Sequence, residues 1–275
     1  MLTIPFTRRI FSFLGIRKET GIKGALAACI SLVILLLSLA WPATASSLTV
    51  DEATELWTGS THSLQGVNCT SCHQVEDTGE FVASPDQESC RQCHEFSTET
   101  FLLGKHGIRT LEGQSPLKPE MALLPMQPDA HGTEMNCNTC HDVHAQDIHR
   151  ASVDACLTCH SDDHSLNYVN SKHAGLLTGN ENLPRPSAGE VTCATCHLPR
   201  QTVGGEVRVN HNNTFNLRPG DRMVADVCMN CHGFEFAYNA VFDDDLVTEN
   251  FARLPEHNHE SLAMVREKRD RRNNR

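Results

Sequence analysis

Cys69-Thr70-Ser71-Cys72-His73 decides how this chain is read, because the same arrangement returns five more times. The other copies run from Cys90 to His94, Cys137 to His141, Cys156 to His160, Cys193 to His197 and Cys228 to His232. Each has the form C-x-x-C-H, the attachment pattern of a c-type haem. The spacing has a chemical reason. Two thiols three positions apart can each reach one vinyl group of the same porphyrin, and the next residue turns its imidazole onto the iron. The pairs Cys69/Cys72, Cys90/Cys93, Cys137/Cys140, Cys156/Cys159, Cys193/Cys196 and Cys228/Cys231 therefore read as covalent anchors. His73, His94, His141, His160, His197 and His232 read as proximal ligands. Six covalently attached c-type haems are expected.

Three other uses of paired cysteines compete with this reading. The 17 residues between Cys72 and Cys90, and the 15 between Cys140 and Cys156, suit a zinc ribbon. Zinc gives no reason for a histidine after every second cysteine, and at the chain's own His frequency six such coincidences arise about 4 times in 10⁸. Disulfides ignore the histidines in the same way. A thiol redox pair calls for one or two copies on a strand-helix pattern, which the sequence lacks.

Composition fits a core built around cofactors. The chain has 275 residues, of which 39% are hydrophobic and only 5% aromatic. Porphyrins supply the flat apolar surface that aromatic side chains provide elsewhere. The net charge of −11 excludes nucleic acid as a natural partner, since binding phosphate requires a basic face.

The first 45 residues read as a secretory signal peptide. Arg8, Arg9, Arg17, Lys18 and Lys23 precede an uncharged run over residues 25–40, and a small-x-small site ends at Ala45. The run is short for a bilayer span, though it would attach the protein to the membrane if it were retained. Arg8-Arg9 resembles a twin-arginine signal, but that route carries folded proteins, and covalent haem attachment outside the cytoplasm requires an unfolded chain. Cys29 resembles a lipoprotein cysteine, yet the apolar run follows it instead of preceding it. The expected location is the periplasm or another exported compartment of a bacterium, with inner-membrane anchoring if the run is kept.

The remainder repeats. Cys69 to Cys137 is 68 residues, Cys90 to Cys156 is 66, His62 to His131 is 69, and Lys105-His106 to Lys172-His173 is 67. A two-haem unit therefore occurs twice, with Cys193 and Cys228 as a stretched third copy. The predicted organisation is module 1 over 46–112, module 2 over 113–180, module 3 over 181–262 and a basic tail over 263–275. Prolines 116, 119, 125 and 128 mark the first boundary, and Pro184, Pro186 and Gly189 the second. Helices are expected near 50–60, 97–106, 165–177, 222–232 and 235–250, with no convincing alternating strand. The expected fold is mostly α with much irregular loop, little or no β-sheet, and short helices wrapped round the haems. The tail, rich in arginine, reads as solvated and frayed, with docking of an acidic partner or anionic lipid as the sharper alternative.

Ten histidines remain beyond the proximal six. His62, His106, His131 and His173 lead as distal ligands because their positions repeat. His211 and His257 follow, with His144 close behind. His149, His164 and His259 read equally well as solvent-facing residues.

Several of these residues resemble the multihaem superfamily that contains pentahaem nitrite reductase, cytochrome c-554 and hydroxylamine oxidoreductase. The resemblance rests on His62 with Val67-Asn68-Cys69, and on Ser171-Lys172-His173-Ala174 leading to Val191-Thr192-Cys193-Ala194-Thr195-Cys196-His197-Leu198-Pro199. From Cys193 to His232 the chain is similar to the C-terminal haem pair of the pentahaem nitrite reductases, which implies that His211, between the two sites, is a distal ligand. The chain departs from those enzymes in having no CxxCK site and only Tyr168 and Tyr238 as tyrosines. What the resemblance implies is haem stacking and electron transfer between haems, without either enzymatic activity.

The expected function is that of an exported hexahaem cytochrome passing electrons between redox proteins, or from a quinol-linked membrane cytochrome, through mainly bis-His haems. An electron carrier is favoured over an enzyme. The alternatives are a small reductase of a nitrogen or sulfur oxyanion at one open haem, and a subunit of a homo-oligomeric haem wire.

Overall fold

Asn68, Asn136 and Thr192 each stand directly before the first cysteine of a C-x-x-C-H stretch, and each caps the single helical turn that follows. The sites are numbered one to six in chain order. At site three the Asn136 side chain accepts from the Thr139 backbone N–H at 3.1 Å, and the Thr139 hydroxyl accepts from the Asn136 N–H at 3.1 Å. Sites one and five repeat this reciprocal arrangement with Asn68/Ser71 and Thr192/Thr195. Turns of four or five residues are too short to persist alone, so the caps hold the cysteine spacing fixed. Asn136→Ala is expected to cost about 1 kcal/mol of stability, read from the guanidinium midpoint, with Asn136→Ser keeping most of it.

The even-numbered sites are built differently. Site two lies inside helix α1, Gln87–Leu103, capped by Asp86 and broken by a non-helical His94 (φ −111°, ψ 43°). Site four follows a π-helical turn, Arg150–Asp154, that runs straight into Ala155–Cys159. Site six begins as a 3-10 turn at Cys228–Asn230. The reciprocal cap is thus found at the three odd-numbered sites and at none of the even-numbered ones.

The computed structural model describes residues 48–75, 77–178, 191–217, 220–256 and 258–274. The expected signal segment, the expected boundary at Pro184 to Gly189 and the distal candidate His257 lie outside the described residues. Val50–Arg275 form one compact unit, which contains all six C-x-x-C-H stretches. The proline-rich stretch at the first boundary packs onto site four, where the Gln127 N–H donates to the Cys159 carbonyl at 2.8 Å and the Ser161 N–H to the Pro125 carbonyl at 3.1 Å.

The described chain is mostly helical, as read from the sequence, with a helix at Val50–Thr58 and shorter pieces at Asp163–Asn167, Lys172–Thr178 and Asp221–Asp226. Helix α2, Phe234–Val241, continues after a break as Asp244–Thr248. No described helix is long and apolar enough to cross a membrane.

Two features depart from expectation. Strands β1 (Arg200–Val203) and β2 (Glu206–Val209) form an antiparallel hairpin, with Arg200 opposite Val209. Gly204 and Gly205, at φ 62° and 90°, make the two-residue turn that the twist of the strands requires. The basic tail is a helix, α3, Glu260–Asn273, and not a frayed end. Its start is fixed: His259 accepts from the Ser261 N–H, its own N–H donates to Asn239 at 2.7 Å, and its ring packs on Tyr238 and Phe242.

Apolar packing is sparse. Val153, Tyr168 and Ala174 form one small cluster with Leu157 and Cys193 against it. Val224, Ala237 and Val241 form another beside Cys228, Tyr238 and Phe242. Each cluster abuts a cysteine of a C-x-x-C-H site.

Candidate functional site

Every histidine that ends a C-x-x-C-H stretch faces one other histidine ring. The ring centroids are 6.2 Å apart for His73 and His144, 5.9 Å for His94 and His62, and 6.2 Å for His141 and His211. They are 6.4 Å apart for His160 and His106, 6.2 Å for His197 and His164, and 6.2 Å for His232 and His173. Six sites thus take six different partners.

Of the histidines expected at the distal position, His62, His106, His144, His173 and His211 are brought to a site. His131 is not: it is exposed at the end of the 3-10 turn Pro128–Ala130 and faces no proximal ring among the described residues. His164, read as no better than solvent-facing, completes site five. His149 approaches Asp154 at 3.6 Å, and His259 caps α3. The signal that could have found His164 is its place four residues after His160, which parallels His144 three residues after His141.

The partners are exchanged between repeats. The Lys-His after site two sends His106 to site four, and the Lys-His after site four sends His173 to site six. In the opposite direction, His144 after site three serves site one, and His211 after site five serves site three. Sites two and five, which neither series reaches, receive His62 and His164.

Local structure aims the rings. The Nδ1–H of His73 donates to the Val82 carbonyl at 2.7 Å, that of His164 to Val247 at 2.5 Å, that of His197 to Asn216 at 2.6 Å and that of His211 to Val209 at 3.2 Å. A carbonyl can only accept, so these bonds fix the tautomer and leave Nε2 as a free lone pair. His211 is placed by the hairpin on one side and by the end of α1 on the other. Its N–H donates to the Thr100 hydroxyl at 3.0 Å, and the Lys105 N–H donates to Asn213 Oδ1 at 2.8 Å. This approach needs Gly104, where a Cβ would lie 2.9 Å from the His211 carbonyl oxygen.

Burial disfavours the charged form of seven of the paired imidazoles. It pushes His106 and His211 down to about 4, helped by the facing His160 and His141. The same cause lowers His94, His141, His160, His173 and His197.

Contacts around the cysteines link the sites in chain order. Cys72 lies within electrostatic reach of Cys90 and Cys93, joining sites one and two. The Asn138 side-chain amide of site three donates to the Pro85 carbonyl, just ahead of site two, at 3.2 Å, joining two and three. Cys140 lies within electrostatic reach of Cys156 and Cys159, Cys193 packs against the same apolar cluster as Leu157 of site four, and Cys196 lies within electrostatic reach of Cys228. Each link joins neighbours in sequence, so the sites form a single file. All twelve of these cysteines are free thiols.

Site six departs from the helical cysteine turn seen at sites one, three, four and five. Cys231 falls just past the 3-10 turn, at φ −129° and ψ −25°, and not inside a helix as Cys72, Cys140, Cys159 and Cys196 do. The second cysteines of the other sites are at least partly covered except Cys93, whereas Cys231 is exposed. The spacing survives because the Cys231 and His232 N–H groups both donate to the Cys228 carbonyl, at 3.1 and 2.9 Å. An exposed thiol held by that shared acceptor is open to a vinyl group arriving from outside.

The donor set suits one kind of occupant. A first-row transition metal binds an imidazole nitrogen at about 2.0 Å and the ring centre lies about 1.2 Å beyond, so two imidazoles on opposite sides of one ion have centroids about 6.3 Å apart. All six pairs fall close to that value. No group of three or more His, Cys, Asp or Glu among the described residues is arranged to hold a metal by itself. An equatorial ring that brings its own nitrogens fits where two axial imidazoles and two nearby thiols are all that the chain supplies. Asn216, whose carbonyl holds His197, is 2% exposed and its Oδ1 has no hydrogen-bond partner. A buried polar atom of this kind, beside site five, calls for a polar group that the chain does not provide.

No family model and no curated protein matches the chain.

Proposed function

We propose that this chain is an exported hexahaem c-type cytochrome of the multihaem superfamily that its residues resemble, and that it carries electrons between redox partners along a file of six bis-His centres. The observation that carries this reading is the one-to-one pairing of all six C-x-x-C-H histidines with a second imidazole, at a spacing suited to one iron. Haem bound at these sites supplies a one-electron iron couple.

The chain's own residues do the rest. Cys69/Cys72 and the five equivalent pairs, through Cys228 and Cys231 at site six, tether; His73, His94, His141, His160, His197 and His232 ligate on one side, and His144, His62, His211, His106, His164 and His173 on the other. The Nδ1 hydrogen bonds to Val82, Val247, Asn216 and Val209 hold four of these rings in place and strengthen them as donors. An iron held between the two imidazoles of each pair would have no coordination position left for substrate, which favours a conduit over a reductase. The short turns and loops then serve as wrapping for the haems, and the sparse aromatic content follows.

The test uses protein matured in a bacterial host with the c-type haem attachment machinery. Intact mass and the pyridine haemochrome spectrum are expected to give six porphyrins per chain, and electron paramagnetic resonance of the oxidised protein six low-spin irons. Chains without porphyrin, or with zinc in place of iron, refute the reading.

A further inference from the structure

Resting on that reading, we infer that site six is a port of the electron file and that helix α3, Glu260–Asn273, docks an acidic electron-transfer protein beside it. Because the sites follow one another in chain order, the His173/His232 pair stands at one end. From there an aromatic route leads outward. The Phe236 ring lies 4.9 Å from the His232 ring, and Phe234 and Phe236 are 49% and 38% exposed. Both line an open concavity of about 560 Å³, with Arg266 of α3 on its rim. Arg266 forms an ion pair with Glu235 of α2, so the basic helix is tied directly to the segment that follows His232.

Charge selects the partner. Residues 46–259 carry 12 basic and 30 acidic side chains, whereas residues 260–275 carry 6 basic and 3 acidic. Across most of its surface the protein repels an acidic partner, and α3 offers the contrast. Lys268 and Arg272 have no acidic partner among the described residues, and both are exposed. A membrane surface is a poorer match, because the apolar Leu262, Ala263, Met264 and Val265 are consecutive. Spaced about 100° apart, they point around the helix and form no single face to insert. At the other end of the file, Phe81 is 70% exposed and stacks on His73 at 5.3 Å, with Asp77 and Glu80 nearby in the chain. That end has the opposite sign, so the two ports discriminate partners by charge.

The experiment uses the six-haem protein and an acidic flavodoxin hydroquinone as the reductant, followed by stopped flow over a range of salt concentrations. Photoreduced lumiflavin, small and uncharged, is the control. For the wild type the flavodoxin rate should fall as salt rises. In Lys268→Glu/Arg272→Glu it should drop about tenfold at low salt and lose most of its salt dependence, while the lumiflavin rate holds. A flavodoxin rate within twofold of wild type overturns the proposal. So does salt-sensitive self-association that the substitutions abolish, which would assign α3 to a second copy of the chain, or flotation with phosphatidylglycerol vesicles that they abolish. The haemochrome count of the same preparation separates the two levels: absence of porphyrin removes the functional reading and the port together, whereas a six-haem protein indifferent to the substitutions removes the docking surface alone.

Discussion

Replacing His211 with alanine is expected to turn one iron in six from low to high spin and to let the reduced protein bind one equivalent of carbon monoxide. His211 faces His141 at 6.2 Å and is delivered by the hairpin, the Thr100 hydroxyl and the close approach at Gly104. The Thr100 and Gly104 contacts are made by the His211 backbone, and only the 3.2 Å Nδ1 bond to Val209 is lost with the ring, so the substitution should remove a ligand while the surrounding chain stays in place. The spin change belongs to site three, which lies inside the file and not at either end. His164→Ala should do the same at site five, with a further effect because its Nδ1 bond to Val247 ties Asp163–Asn167 to Asp244–Thr248. His131→Ala, by contrast, should leave all six irons low-spin. The decisive measurement is the high-spin signal near g = 6, about one spin per molecule for His211→Ala and none for His131→Ala. Six low-spin irons in His211→Ala would show that the ring pairing is not ligation.

The second large effect concerns the protein without its cofactors. Chain produced in the cytoplasm without haem attachment is expected to show no cooperative thermal transition and to lose more than half of the helical circular dichroism of the mature form. The two apolar clusters hold three buried residues each. Burying one such side chain contributes about 1.5–3 kcal/mol, while ordering one residue of backbone costs about 1–2 kcal/mol. Clusters of that size offset the ordering of only a small part of a chain longer than two hundred residues. The single turns at Cys69–His73, Cys137–Cys140 and Cys193–His197 are also too short to survive on their caps alone. A haem-free chain that melts cooperatively with mature-like helicity would mean that the protein core suffices without porphyrin.

Much of this was legible before any coordinates, and the exceptions have physical causes. The cysteines and the first set of histidines follow from local spacing, which the chain cannot disguise. The helix at Val50–Thr58 and the α2 region were equally readable, since local patterning specifies them. The second ligand of each site depends on which distant loops meet, and sequence offset describes that only in part. His106 and His173 kept their equivalence under the repeat, both reaching two sites forward. His62 and His131 share an offset just as regular, yet only His62 reaches a site, because the 3-10 turn at Pro128–Ala130 leaves His131 exposed. His164 had no counterpart in the repeat to recommend it. The hairpin's signal was present, since Gly204-Gly205 separates two short runs, one ending in Thr202-Val203 and the other with Val207 and Val209 at alternate positions. Its strands are four residues each, at the lower limit of what patterning reveals. The order in α3 comes from Asn239 and the aromatic seat of His259, contacts that a reading of charge alone does not include.

The exchange of imidazoles between repeats has a bearing on biogenesis. A chain threaded across a membrane amino end first presents His62, His106, His164 and His173 before the cysteine stretches they serve. Sites one and three are in the opposite position: His73 must await His144, and His141 must await His211, some seventy residues behind in each case. During that interval the thioether bonds and a single imidazole would retain the porphyrin on the proposed reading, which gives covalent attachment a task in assembly separate from any role in the finished molecule.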